Sequence, residues 1–255
     1  MNIAEHITAL DSAGQRLAAA AEEAGPDAAV PSCPDWVVRD LVRHQGGVHR
    51  WATGYVAGPR TELWDVDMED VVGDWPADGD LIDWFGDGLA TLVQTLTDAD
   101  PDLACFTFLA APSPLAMWSR RQAHETTVHR VDAELAAGWS PTALPASFAA
   151  DGVDELLSCF ITRPRGSLRA DPARRMRVTC TDDPGDWLIM IGPDRVVTKT
   201  GPADETWDHV DCQVSGSAND LYLALWNRQP TTTLRTEGDD SVLRLFCDSV
   251  TVRWS

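Results

Sequence analysis

Glu125 and His129 stand four residues apart in the stretch MWSRRQAHETTVHRVDAELAAG, residues 117–138. On a helix, positions i and i+4 differ by about 40° in direction and about 6 Å in height, so a carboxylate and an imidazole there converge on one small object. A metal ion is such an object. On a helical wheel the pair falls beside Gln122 and Trp118, at the edge of an apolar stripe of Met117, Val128, Val131 and Leu135. That placement turns both groups toward other helices and away from bulk water. Two ligands do not complete a site, so a third must come from elsewhere.

Five other histidines bear on that question. His6, near the terminus, and His209, in the second half, read as surface residues, and His124, about 100° from Glu125 on the wheel, reads as a core residue. His44 and His49 lie five residues apart, about 140° around one helix, and cannot share a site. Pattern alone leaves the choice between them open, although His49 is nearer the apolar face. Asp132 and Gln122, one turn from the pair, read equally as partners that orient a ligand imidazole from behind and as solvated residues.

The elements that must position these residues follow from periodicity and punctuation. A first helix spans 3–24, ended by Gly25-Pro26. Ser32-Cys33-Pro34-Asp35 reads as a capping box that opens a second helix running to Val56, with Val38, Leu41, Val42, Val48, Ala52 and Tyr55 on its apolar face. A loop over 59–80 leads to a third helix at 81–96, and a second loop over 98–114 leads to the stretch carrying Glu125 and His129. The expectation is an all-α, up-down four-helix bundle over residues 1–140, an architecture that builds metal sites from inward side chains. Pro141 and Pro145 mark a linker to a smaller α+β domain over 146–255. Its predicted elements are a helix at 147–162, strands at 176–181, 187–191, 195–200 and 210–215, a helix at 220–226 and a closing β-like run at 249–254.

Composition narrows the partners. Twenty basic residues against 40 acidic ones give a formal charge of −20, and Lys199 is the sole lysine. Such a chain repels phosphate backbones and anionic membranes, which argues against nucleic acid and membrane partners. No signal-peptide pattern opens the sequence, and no apolar run is long enough to span a bilayer. The six cysteines, Cys33, Cys105, Cys159, Cys180, Cys212 and Cys247, form no CxxC pair, and reduced thiols in the cytoplasm are the expectation.

Three ordered blocks, CPDWVVRDLVRHQGG, WSRRQAHETTVHRVDAELAAG and VSGSANDLYLALWNR, resemble the mycothiol-dependent maleylpyruvate isomerase family of DinB-like metal-binding bundles. In that family a tryptophan precedes the first metal histidine by eight residues, which maps onto Trp36 and His44. The Glu-x-x-x-His of the later helix maps onto Glu125 and His129. An arginine that follows a Ser-Gly-Ser turn and helix, implicated in handling substrate, maps onto Arg228. Gly47 stands where the family often has asparagine, and residues 59–111 match no family pattern.

The resemblance thus implies a divalent metal, zinc, held by His44, Glu125 and His129, with mycothiol as the thiol and Arg228 as the catalytic partner of a carboxylate-bearing substrate. Two imidazoles and one carboxylate leave a zinc position open, and a thiol entering it becomes a thiolate. Addition to an activated double bond, rotation and departure amount to cis-trans isomerisation; displacement of a leaving group amounts to thiol transfer. Arg228 would receive negative charge through its planar fork. The alternatives are a metal-dependent hydrolase, with Asp132 or His49 as general base, and a non-enzymatic metal-binding module. A monomer or weak homodimer acting on small molecules is expected.

Overall fold

A computed structural model describes residues 1–58, 60–164, 166–201, 207 and 209–251. By its internal contacts the chain divides into two compact units, Met1–Thr142 and Ala143–Ser255.

The first unit is helical. Its long elements are α1 (Ile3–Ala24), α2 (Val38–Ala57), α4 (Leu81–Asp98) and α5 (Pro114–Ala136), with a short α3 (Met68–Val72) and a 3-10 turn at Asp78–Asp80. α1 lies against α4 and α5, and α2 against α4 and α5. A capping box opens α1: the Asn2 side chain accepts from the Glu5 amide at 2.9 Å, and the Glu5 carboxylate accepts from the Asn2 amide at 2.8 Å. Gly25, at φ 80°, ends it in a conformation that other residues rarely adopt. Leu10, Leu17, Leu41, Phe85, Leu92 and Leu96 fill the core at helical spacing.

Three expectations for this unit need correction. α2 begins at Val38 and not beside Ser32: the carboxylate that reaches back is Asp40, accepting from the Val37 amide at 3.0 Å. The Ser32-Cys33-Pro34-Asp35 signal makes consecutive turns instead, closed by Cys33 N–H to Val30 O at 3.0 Å and Trp36 N–H to Cys33 O at 2.9 Å. His6, expected at the surface, is 4% exposed, because it lies on the same face of α1 as Leu10, Ala13 and Leu17. Its ring meets that of His124 edge-on, with centroids 6.0 Å apart.

The connection expected as a loop over 59–80 contains α3 and the 3-10 turn, and it packs on α2 at Gly47 and Gly54, while α4 packs on Gly46. A methyl group on Gly47 would sit 2.6 Å from Met68 Sδ, one on Gly54 2.6 Å from the Trp64 ring, and one on Gly46 2.2 Å from the Trp84 ring. The Arg50 guanidinium covers that last ring at 3.8 Å from its centroid. Gly46→Ala is therefore expected to overpack the α2–α4 contact and cost about 1–3 kcal/mol, read as a lower midpoint in urea denaturation.

The second unit contains a five-stranded mixed sheet of order β3-β2-β1-β4-β5, in which only the β1–β4 pairing is parallel. The strands are β1 (Arg174–Cys180), β2 (Asp186–Ile191), β3 (Val196–Thr200), β4 (Cys212–Gly216) and β5 (Arg235–Gly238). α6 (Ala146–Asp154) runs into a π turn at Glu155–Phe160, α7 (Ala218–Leu225) packs on α6, and α8 (Ser241–Ser249) packs on β1 and β4. β5 and α8 were not anticipated. The β-like run expected at 249–254 begins on the last residue of α8, and its residues 252–254 lie outside the described part of the chain. Among the described residues, no helix is long and apolar enough to cross a membrane.

Candidate metal centre

α5 carries most of the candidate chemistry. Ser113 caps it, accepting from the Ala116 amide at 3.2 Å, and Pro114 occupies its first turn. The helix is buried on nearly all sides although it holds Arg121, Gln122, His124, Glu125, Thr126, His129, Arg130, Asp132 and Glu134. Polar groups at that depth require partners. Glu134, for example, accepts from Arg16 at 2.9 Å and from the Thr142 hydroxyl at 2.6 Å, which gives its charge a structural role.

His44, Glu125 and His129 are brought together, with one donor atom from each lying within 4.8 Å of the others. Glu125 Oε1 is 3.6 Å from His44 Nε2 and 3.4 Å from His129 Nε2. Ligands about 2.0–2.1 Å from a tetrahedral zinc stand about 3.4 Å apart, so the donor types and their spacing suit that ion. The His129 side chain is 0% exposed and the Glu125 side chain 5%, whereas that of His44 is 21% exposed. The His44 ring is thus the most exposed of the three, although its Nε2, the atom that faces the cluster, is itself buried.

Each donor has a support behind it. Arg121 Nη2 donates to Glu125 Oε2 at 2.9 Å, which leaves Oε1 directed to the imidazoles. Asp132 Oδ2 accepts from His129 Nδ1 at 2.8 Å, which leaves Nε2 directed to the cluster. The Trp36 ring lies 5.0 Å from that of His44 and stacks at 6.0 Å on that of His129. The electrostatics follow from these contacts. Burial opposes charge on Glu125, but Arg121, His129 and His44 outweigh it and hold the carboxyl well below its usual range. Burial likewise opposes charge on His129, but Asp132 and Glu125 outweigh it and raise that imidazole. At His44 burial prevails and its pKa falls.

His49 belongs to a different network. Its Nε2 lies 2.9 Å from Gln45 Nε2 and 2.9 Å from Thr126 Oγ1, and its ring sits 5.3 Å from that of Phe85. Burial, with the Arg50 charge nearby, pushes His49 down to about 3, so it stays neutral at physiological pH. Arg228 lies in the second unit, just past α7, and is 6% exposed. Asn227, at φ 63°, turns the chain there, and Arg228 Nη1 donates to Trp226 O at 2.8 Å. His209 is exposed, as expected. The contribution of Ser32 was missed: its hydroxyl donates to Asp132 Oδ1 at 2.5 Å across 100 positions of sequence, and no local pattern signals such a contact.

Two family models match. The mycothiol maleylpyruvate isomerase N-terminal domain matches residues 7–134, and the C-terminal domain of the same family matches residues 147–245. Among solved structures, the crystal structure of the mycothiol-dependent maleylpyruvate isomerase is similar at TM-score 0.63 and 12% identity, covering 93% of both chains. A histidine-to-alanine mutant of that enzyme gives the same TM-score, identity and coverage. At that identity the likeness speaks for the fold alone. No curated protein sequence matches the chain.

Proposed function

We propose that this chain, which belongs to the mycothiol maleylpyruvate isomerase family, is an isomerase or thiol transferase acting on a small electrophile that bears a carboxylate, with mycothiol as nucleophile. The observation that carries the metal dependence is the convergence of His44, Glu125 and His129 within 4.8 Å. We read the four long helices as a DinB-like bundle, supported by the packing of α1 and α2 on α4 and α5. His44, Glu125 and His129 would hold a divalent ion, zinc by their donor set, whose positive charge would keep an incoming thiol deprotonated at neutral pH.

The remaining work falls to this chain's own residues. Arg121 fixes one carboxylate oxygen of Glu125, and Asp132 fixes the tautomer of His129. Trp36 lies against both imidazoles. Arg228 is the proposed partner for the substrate's carboxylate or developing oxyanion. The hydrolase alternative is less well supported, since both bases it would use are engaged: Asp132 with His129 and Ser32, and His49 in the Gln45–Thr126 network. A thiol-dependent reaction also suits the reducing cytoplasm.

The test combines elemental analysis with a maleylpyruvate isomerisation assay run with and without mycothiol. One divalent ion per chain and turnover only in the presence of the thiol are expected. Turnover that survives a strong chelator would overturn the metal dependence, and turnover without thiol would overturn the role of mycothiol.

A further inference from the structure

The geometry points to Ser32 as a positioning residue for the metal site, acting through Asp132 on the imidazole of His129; the assignment rests on the metal-site reading above. Asp132 is fully buried, and a carboxylate at that depth is held in place by the donors on its two oxygens. One oxygen accepts from His129 Nδ1 at 2.8 Å and the other from the Ser32 hydroxyl at 2.5 Å, a distance typical of a hydroxyl donating to an ionised carboxylate. The result is a three-member chain, Ser32 to Asp132 to His129, ending at the nitrogen opposite the one that faces Glu125.

The segment that carries Ser32 is built to hold it still. Val30 and Cys33, on either side, are buried at 1% and 5% exposure. Val30 N–H donates to Trp36 O at 3.0 Å and Val38 N–H to Ala28 O at 2.9 Å, so the ends of the segment are tied together in front of α2. An isolated bridge between Ala29 and Val37 closes the same loop. Trp36, four residues past Ser32, leaves this loop to lie against the rings of both His44 and His129. One short loop thus contacts the site twice, by a hydrogen bond behind His129 and by an aromatic ring beside it. Without the Ser32 hydroxyl the Asp132 carboxylate loses one of the donors that orient it, and the imidazole bonded to its other oxygen is held less firmly.

Partners of this kind behind a metal histidine are worth about 10–100-fold in metal affinity, and Ser32 acts at one remove. Ser32→Ala is expected to weaken zinc binding about tenfold, measured by competition with a chromogenic chelator, while Ser32→Thr, which keeps the hydroxyl, binds close to wild type. A second readout needs no metal: in the apo protein the Nδ1 proton of His129 gives a protected ring N–H resonance by NMR, expected to broaden in Ser32→Ala and persist in Ser32→Thr. Thermal melts of both variants separate this effect from loss of fold. If wild-type protein binds no zinc, the metal reading fails while the NMR comparison still decides the role of Ser32. If Ser32→Ala binds zinc as wild type does and keeps the resonance, the inference is wrong.

Discussion

His129→Ala and His44→Ala are each expected to lose the bound metal on purification and, with it, roughly 10³-fold or more of thiol-dependent turnover. The proposed ion is worth several kcal/mol to the reaction, and each 1.36 kcal/mol is a factor of ten. Removing His129 also leaves Asp132 buried without the imidazole it holds at 2.8 Å, so this variant should lose some stability as well. His44, with its side chain 21% exposed, has less packing to lose and should report on the metal more cleanly. His49→Ala is the control. Its ring is bonded to Gln45 and Thr126, so the change should lower the denaturation midpoint while metal content stays at one ion per chain. Metal analysis on the three variants decides the matter. Equal loss of metal in His49→Ala would mean that the wrong turn of α2 had been assigned to the site.

The choice between His44 and His49 also shows how far residue patterns reach. Spacing on one helix brought out Glu125 and His129 and named Asp132 as a support, because all three lie within two turns of the same element and share its geometry. Spacing could not separate His44 from His49, since that depends on which face of α2 meets α5, a tertiary fact. Ser32 was beyond reach for the same reason, and its local sequence pointed elsewhere: a serine followed three residues later by an acid reads as a cap. Two competing signals decided against it, Pro34 within a run of turns and Asp40 at the third position of the true helix. The main helices were legible because their apolar stripes are long, and four strands were found within a residue or two because short apolar or β-branched runs mark them, as at Met176, Val178 and Cys180 of β1 and Val196 and Val197 of β3. β5 escaped because Arg-Thr-Glu-Gly is short, polar and mostly exposed, with its pairing supplied by β4 and not by its own pattern. α6 was foreseen as a single helix, yet its last turn is π, a change in hydrogen-bond register that no residue there announces.

Arg228→Ala is expected to leave metal content unchanged and to lower turnover of a carboxylate-bearing substrate by on the order of 10²-fold, the effect of losing a partner for charge that develops in the transition state. A metal-bound thiolate would supply a nucleophile but would not select among electrophiles, and Arg121, the arginine bonded to the cluster's own carboxylate, is committed to Glu125 at 2.9 Å. A planar fork held in one orientation is what recognition of a carboxylate or enolate requires. Arg228 is held in that way: its amide donates to Leu223 O at 2.7 Å, its Nη1 to Trp226 O at 2.8 Å, and the left-handed turn at Asn227 fixes the direction in which the chain leaves α7. A side chain so constrained loses little further entropy when it binds an anion. Arg228→Lys should recover little, because an ammonium is a point charge that cannot reproduce two parallel hydrogen bonds. The contact to Trp226 also gives the guanidinium a part in local packing, so thermal melts must accompany the kinetics. A variant that melts like wild type, keeps its ion and turns over a hundredfold more slowly assigns Arg228 to substrate. One that melts early and regains full activity at low temperature assigns it to packing, and the selectivity for an anion would then have to come from another residue.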